Sequence, residues 1–410
     1  MLKKLSSSIV IYGGTNAIKS LVPFVMLPIL TAYISPEEYG DLSLIETTIL
    51  FLLPFIMLNI NGAINVEYFR KDNKDEYKAY VVNALMLSLI AFFIVFLTLF
   101  SFEEILSKWI HLEEKWIDFL ALFTFLRVLS SVVLVIFQAS QEPKKYALFS
   151  ISQTIIDFSI SYYLVAVLNY GIIGRLSGIY ITFFIFSLVS IYILKEMHYF
   201  KRKFTFKYTK EILAFGIPLI PHSIGGIILA MSDRYFISYF NGNSEVGLYT
   251  VAYQISAILL LVSMSVNQAW SPIFFKLMKE ANYKTINKIM VTLFMLFLLI
   301  SIFVYLISPL IYQYFIDEKF QESKIYFLYL LLGFTFQSLY FLFTNYLFYY
   351  KKTSLLSLIT LSGATINLIL NYYFIQLYGT IGVAYATAIT WCLYFIVVFL
   401  VHLKLKRIYT

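Results

Sequence analysis

Cysteine is nearly missing from this chain, and so is clustered histidine. The single cysteine, Cys392, excludes an internal disulfide and any metal site built from several thiolates. The four histidines, His111, His198, His222 and His402, are scattered, and none forms a ligand pair at helical spacing. Charge is scarce too. Only 13% of residues are charged, against about 25% in an average soluble domain. There is no Asp-x-Asp pair to hold a metal-nucleotide and no grouping of His with acid. The outer connections reach only about 15 residues, too short for the large catalytic loop that a membrane polymerase, ligase or acyltransferase presents. No metal and no cofactor is expected.

What fills the chain is apolar. Hydrophobic residues make up 60% of it, and the mean hydropathy is +0.80. A hydrocarbon core of about 30 Å needs roughly 20 apolar residues of helix. Twelve stretches qualify, near 8–34, 40–69, 79–101, 117–138, 146–168, 172–194, 212–240, 246–270, 286–308, 325–350, 354–377 and 380–402. Lys3 and Lys4 before the first stretch imitate a secretion signal. The apolar run then continues past Ile34 without a small-residue cleavage pattern, so it reads as an uncleaved first span. Tyr and Phe, 34 and 40 residues, lie throughout the spans and read as packing and interfacial anchors rather than a sugar platform.

The 31 Lys and Arg are distributed unevenly. Both termini and the even-numbered connections hold 23 of them, and the opposite connections hold Lys108, Lys115, Lys319 and Lys324. The positive-inside rule therefore predicts a cytoplasmic N-terminus and C-terminus. The same distribution accounts for the net charge of +8 through the anionic inner leaflet, without nucleic acid.

The chain repeats at an offset of about 207 residues. Glu38-Tyr39-Gly40 matches Glu245-Val246-Gly247, and Tyr170-Gly171-Ile172-Ile173-Gly174 matches Tyr378-Gly379-Thr380-Ile381-Gly382. Six spans per half is an even number, so the repeats run parallel about an axis along the membrane normal. The expected architecture is an all-α integral membrane protein with two parallel-repeat six-helix bundles, 1–195 and 212–410. A basic cytoplasmic linker, 196–211, containing Lys201-Arg202-Lys203 joins them. Each half opens with an awkward helix. Pro23 and Pro28 interrupt the first span, and Pro218 and Pro221 the seventh. Proline removes a backbone hydrogen bond, so these four are candidate hinges. Between the third and fourth spans, Phe102, Ile105, Leu106, Trp109 and Ile110 share one face, predicting an amphipathic helix on the outer membrane surface.

Charge inside a membrane costs at least about 2.5 kcal/mol per group, so it pairs or lines an aqueous cavity. Lys19, Arg127, Arg175 and Arg234 are the intramembrane cations, and Glu46, Asp157 and Asp233 the carboxylates. The cations are candidates for binding an anionic substrate. The carboxylates are candidates for ion coupling or structural pairing. At 1.5 Å per residue Arg127 lies about 15 Å below the outer end of its span and Asp157 about 16 Å above the inner end of the next, so the two are expected to pair. Asp233 and Arg234 are consecutive, point about 100° apart, and are expected to serve different neighbours.

The seventh and eighth spans carry a resemblance. Ile212-Leu213-Ala214-Phe215-Gly216-Ile217-Pro218-Leu219-Ile220-Pro221 is followed by Ser232-Asp233-Arg234-Tyr235-Phe236-Ile237 and Val246-Gly247-Leu248-Tyr249-Thr250-Val251-Ala252-Tyr253. This run, with Glu38-Tyr39-Gly40-Asp41-Leu42, resembles the polysaccharide-exporter branch of the multidrug/oligosaccharidyl-lipid/polysaccharide (MOP) superfamily, which includes O-antigen and capsule-unit flippases. The resemblance implies a flippase in the bacterial cytoplasmic (inner) membrane. Its implied substrate is an undecaprenyl-pyrophosphate-linked glycan moved by alternating access. Coupling to H⁺ or Na⁺, contact with membrane lipids and association with polysaccharide-assembly proteins are implied in the same way. Asp233-Arg234 stands at the family's Asp-Arg position; the other intramembrane charges rest on the charge argument alone. A drug/cation antiporter on the same fold is the nearest alternative and would favour a carboxylate-dominated site. A peptidoglycan-precursor flippase and a membrane polymerase or acyltransferase stand further off.

Overall fold

The computed structural model describes residues 2–71, 73–201 and 204–409, and nearly all of them are helical. Arg202 and Lys203 of the expected basic linker lie outside the described residues. Seventeen α-helices follow one another among the described residues. They are α1 (Leu2–Tyr33), α2 (Pro36–Met57), α3 (Ile60–Arg70), α4 (Lys74–Ser101), α5 (Glu103–Ile110), α6 (Glu114–Ala139), α7 (Pro143–Tyr162) and α8 (Gly171–Glu196), then α9 (Phe206–Gly216), α10 (Ile220–Met231), α11 (Asp233–Asn241) and α12 (Asn243–Ser256). The last five are α13 (Ile258–Lys279), α14 (Tyr283–Phe315), α15 (Lys324–Tyr349), α16 (Thr353–Tyr378) and α17 (Thr380–Tyr409). Twelve segments are long and apolar enough to cross a membrane. The protein is an all-α multi-pass membrane protein.

Helix starts follow local chemistry. Ser35 and Glu38 form a capping box at α2: Ser35 N donates to Glu38 Oε2 at 2.9 Å, and Glu38 N donates to Ser35 Oγ at 3.2 Å. Pro36 then takes the first helical position, where its missing N–H costs nothing. Asn73 and Asn282 cap α4 and α14, accepting from Asp75 N and Thr285 N. The amphipathic α5 forms as expected, with Phe102, Ile105 and Trp109 exposed. Its Lys108 Nζ donates to Glu104 Oε1 at 2.6 Å, which holds the Glu104 carboxyl below the usual carboxylate range.

Three expected spans differ in detail. The second, expected at 40–69, breaks at Leu58 and Asn59, both left-handed with φ of 51° and 52°. The eighth, expected at 246–270, breaks at Ala257, and α13 supplies the spanning helix. The seventh is four pieces: α9, a 3-10 turn over Ile217–Leu219, α10 and α11. Hydropathy does not register these breaks, because the flanking residues stay apolar. Pro218 sits in the 3-10 turn and Pro221 in the first turn of α10, whereas α1 continues through Pro23 and Pro28.

The breaks in the second and seventh segments hold each other. Asn59 Nδ2 donates to Gly216 O at 3.3 Å, and Ser223 Oγ donates to Asn59 Oδ1 at 3.2 Å. Gly216 is glycine for a steric reason: an added Cβ would overlap the Leu58 carbonyl oxygen. Backbone groups freed by the breaks thus find protein partners, as a low-dielectric setting demands.

Two compact units emerge. One holds the residues up to Ile34 together with Asp41–Ile227; the other holds Ser35–Gly40 together with Ile228 onward. In the first, Ile45, Ile49, Ile56, Val81, Val132 and Val133 are buried. Ser88 Oγ donates to Ile56 O and Ser187 Oγ to Leu126 O, tying neighbouring helices. In the second, Trp270, Phe274, Phe297, Leu342, Tyr346 and Val398 share one core. Such interhelical hydrogen bonds average about 0.6 kcal/mol in membranes, so packing of many side chains carries the bundle.

The repeat is visible in the helix starts. A shift of 207 positions carries Pro36, which opens α2, onto Asn243, which opens α12. Within the second unit these two turns cross reciprocally. A Cβ on Gly40 would overlap Asn243 O, and one on Gly247 would overlap Pro36 O. The same shift relates Gly40 to Gly247. Only glycine permits both backbones to approach this closely.

Candidate functional site

Seven charged residues at membrane depth organise the candidate site, and the helices sort them into four arrangements. In the first unit, Arg127 of α6 reaches Glu46 of α2. Its Nη2 donates to Oε1 at 2.7 Å and Oε2 at 2.9 Å, and the guanidinium lies 5.0 Å from the Phe183 ring centre. In the same unit, Arg175 Nη1 donates to Asp157 Oδ1 at 2.8 Å and to Ser161 Oγ at 2.6 Å, and Ser161 also donates to Asp157. A π-helical turn over Tyr163–Val167 follows at once. Such turns mark places where the regular ladder gives way.

The expected Arg127–Asp157 pair does not form; each finds another partner. Depth alone does not choose a partner, since a guanidinium on a long stem reaches carboxylates above or below its own level. Arg175, one turn past the α7–α8 connection, reaches back to Asp157, while Arg127 is taken by Glu46 of α2.

Both pairs in this unit remain partly open. Side-chain exposure is 17% and 32% for Arg127 and Glu46, and 15% and 22% for Arg175 and Asp157. Arg127 Nε and Tyr180 Oη are buried without a hydrogen-bond partner among the described residues, as are Ser130 Oγ on α6 and Gln153 Nε2 on α7.

Lys19, on α1, is the third arrangement. It is half-buried, and among the described residues it forms no ion pair. One turn before it, Asn16 accepts from Tyr146 Oη at 3.4 Å. Tyr146 also meets Tyr12 edge-on at 5.0 Å.

The second unit treats its charges differently. Arg234 Nη1 donates to Asp233 Oδ1 at 2.7 Å, and the Tyr249 hydroxyl donates to Asp233 Oδ2 at 2.7 Å. The guanidinium lies 4.3 Å from the Tyr253 ring centre. Side-chain exposure is 4% for Arg234 and 5% for Asp233. These consecutive residues therefore serve each other, against the expectation of separate neighbours. The carboxylate folds back over its own helix start and also accepts from Arg234 N at 2.9 Å, so the 100° step between side chains is closed by rotation. Behind the pair, Ser232, Asn367, Asn371 and Thr390 form a buried amide and hydroxyl relay.

Several participants carry no charge and escape a charge-based reading: Tyr180, Phe183 and Ser161 in the first unit, Tyr249 and Tyr253 in the second. The repeat supplies one signal. At the 207-position shift Glu46 falls on Tyr253. In each unit this position touches an arginine, by an ion pair in one case and by a ring face in the other.

Comparison with known proteins adds the family. The profile described as "Polysaccharide biosynthesis protein" matches residues 5–278, and the MatE profile matches 218–373. A Haemophilus influenzae protein of the Lsg locus is 26% identical over 364 residues, covering 86% of this chain and 87% of the relative. An uncharacterized membrane protein of the same organism is 27% identical over 369 residues, covering 88% of each. Among solved structures, an inward-facing multidrug resistance MATE family transporter of the MOP superfamily superposes with a TM-score of 0.79 at 15% identity, covering 95% of this chain and 96% of that one. Lipid II flippase MurJ in an inward closed conformation gives 0.72 at 18% identity, covering 98% and 89%. At these identities the structures establish a shared fold, that of the MOP superfamily. With twelve spanning segments and these relatives, the protein is a multi-pass inner-membrane transporter rather than an enzyme, and the chain belongs to the polysaccharide biosynthesis protein family.

Proposed function

We propose that this transporter flips an undecaprenyl-pyrophosphate-linked oligosaccharide repeat unit from the inner to the outer leaflet by alternating access. The single observation that carries the anionic substrate is Lys19. It is a half-buried intramembrane cation without a carboxylate partner among the described residues, whereas Glu46, Asp157 and Asp233 are each engaged by an arginine. An unneutralised cation at membrane depth lowers the cost of bringing a pyrophosphate into a low-dielectric site. The same tally disfavours a cation antiporter, which would need a carboxylate free to receive its substrate. Membership of the polysaccharide biosynthesis family supports a glycan over a drug.

Arg127 and Arg175 take the supporting role. Each sits in a partly open pair, so a phosphate oxygen can replace the carboxylate as partner; arginine's planar fork suits either acceptor. The released Glu46 or Asp157 would then accept H⁺ or coordinate Na⁺, which links substrate movement to an ion gradient. Arg234, sealed with Asp233, serves as a structural anchor. The positive-inside distribution supports cytoplasmic termini.

The experiment measures membrane protein level and leaflet-resolved glycolipid in the same cells. Lys19→Gln should leave protein level normal and accumulate the lipid-linked repeat unit in the inner leaflet. Lys19→Arg should retain part of the export. Normal outer-leaflet glycolipid in Lys19→Gln would remove Lys19 from the substrate path.

A further inference from the structure

In the first unit α1 packs along α7 and also meets the π-helical turn over Tyr163–Val167 that follows it. The contact is registered near its start, where Tyr146 meets the Tyr12 ring edge-on and donates from Oη to Asn16 Oδ1. From Tyr146 to the π-helical turn is 17 positions, but α1 has only Leu2–Ile11 before Tyr12. An antiparallel α1 would end before reaching that turn, so the two helices run parallel. Seven residues make nearly two helical turns. Lys19, seven on from Tyr12 and three on from Asn16, therefore returns to the face that meets Tyr146. Ser150 and Gln153, four and seven on from Tyr146, return to the face that meets α1. Lys19 thus lies level with the turn Ser150–Gln153, and the two faces oppose each other.

Both α7 residues are buried, Ser150 fully and Gln153 with 9% exposure. Neither Ser150 Oγ nor Gln153 Nε2 has a hydrogen-bond partner among the described residues, and Lys19 forms no ion pair among them. Asp157, the next polar residue on this face, is already held by Arg175 and Ser161. What remains at this level is a donor set: an ammonium, an amide and a hydroxyl. Such a set complements phosphate oxygens, which accept, and the ammonium opposes a metal cation. Gln153 lies ten residues, about 15 Å, from Pro143, where its spanning segment starts. That is half of a hydrocarbon core of about 30 Å, a depth that the headgroup of a resting phospholipid does not reach. The flank of α1 beside Asn16 is open, because a Cβ on Gly13 or Gly14 would meet nothing within 4 Å.

We infer that Lys19, Ser150 and Gln153 together hold a phosphate of the lipid-linked substrate in the seam between α1 and α7. The inference rests on the proposed function and adds two uncharged residues to the cation named there. Lys19 supplies the charge; the amide and hydroxyl fix where on α7 the phosphate sits.

Two measurements on the full chain test it. In a Cys392→Ser background, Lys19→Cys should cross-link on mild oxidation to a cysteine at Ser150 or Gln153, and not to one at the exposed Ile155. Cross-linking to neither Ser150 nor Gln153 would overturn the register. Radiolabelled undecaprenyl pyrophosphate is then bound to the protein in phosphatidylcholine nanodiscs and counted per folded molecule. Gln153→Leu should weaken binding about tenfold, as loss of one charge-assisted hydrogen bond does. Gln153→Glu, nearly isosteric, gives Lys19 a carboxylate and should weaken binding further. In a Lys19→Gln background Gln153→Leu should add little, because both residues act on one group. Ile155→Ala is the control and should change nothing. Unchanged binding in Gln153→Glu would overturn the inference. So would equal competition by phosphatidylglycerol on the unaltered protein, which would leave an unselective anion contact. Export in cells separates the two readings. Binding and export lost in Lys19→Gln but intact in Gln153→Glu would defeat the shared site alone. Unaltered protein that binds no undecaprenyl pyrophosphate would defeat the flippase reading itself.

Discussion

The two units share a frame and differ in how they treat charge. In the first, Glu46–Arg127 and Asp157–Arg175 are partly open, and Lys19 has no counter-ion among the described residues. In the second, Asp233–Arg234 is sealed beneath Tyr249 and Tyr253 and backed by buried amides. The same helix position carries Glu46 in one unit and Tyr253 in the other. A carboxylate there makes an exchangeable ion pair; an aromatic ring makes a lid. The repeat aligns the starts of α2 and α12, and on the proposed function the chemistry divides into one working half and one anchoring half.

The largest expected effect comes from opening the sealed pair. Asp233→Ala or Arg234→Ala strands one buried charge, which costs about 3–5 kcal/mol. Membrane protein level should collapse in both. Survival of either single variant at normal level would contradict the anchoring role. Next come the crossing glycines. Gly40→Val and Gly247→Val drive a side chain into the opposing carbonyl, and overpacking of that kind costs about 1–3 kcal/mol or more. The two should lower thermal stability in detergent to a similar degree, because their contacts are reciprocal. A strong effect at one and none at the other would break the symmetry.

Tyr249→Phe should follow. It leaves Asp233 Oδ2 one donor short, for about 1–3 kcal/mol, read as a lower melting temperature with export per folded molecule retained. The smallest effect on stability is expected from Glu46→Gln. Glutamine keeps an amide oxygen for the Arg127 guanidinium, and this pair is less enclosed than Asp233–Arg234, so protein level should fall least in this variant while export falls. Orientation can be checked in a Cys392→Ser background. An impermeant reagent added outside should modify a cysteine at Asn241 and spare one at Lys279; the reverse would invert the positive-inside assignment.

Most of the fold was legible because bilayer thickness converts apolar run length directly into spans. The helix breaks were not. Leu58–Asn59 and Ala257 interrupt helices inside runs that stay apolar, and what stabilises the first break is a contact with Gly216 and Ser223 some 157 to 164 positions away. The capping box at Ser35–Glu38 was passed over, and it explains why α2 starts at Pro36 rather than at residue 40. The intramembrane charges were also readable one by one, because each is costly. Their partners were not, since pairing depends on side-chain reach and helix rotation. Arg127 took Glu46 instead of Asp157, and Asp233 rotated onto its own neighbour. Tyr249 and Tyr180 were hidden among 34 tyrosines, where composition gives no reason to choose one.

The most direct test compares charge-neutral double variants of the two halves. Glu46→Gln with Arg127→Gln removes the open pair; Asp233→Asn with Arg234→Gln removes the sealed one. For each, export of lipid-linked glycan is divided by the amount of folded protein in the same membranes. The expected result is near-normal protein with little export for the first double, and reduced protein with near-normal export per molecule for the second. The opposite assignment, export per molecule lost only when the sealed pair is neutralised, would contradict the division into a working half and an anchoring half.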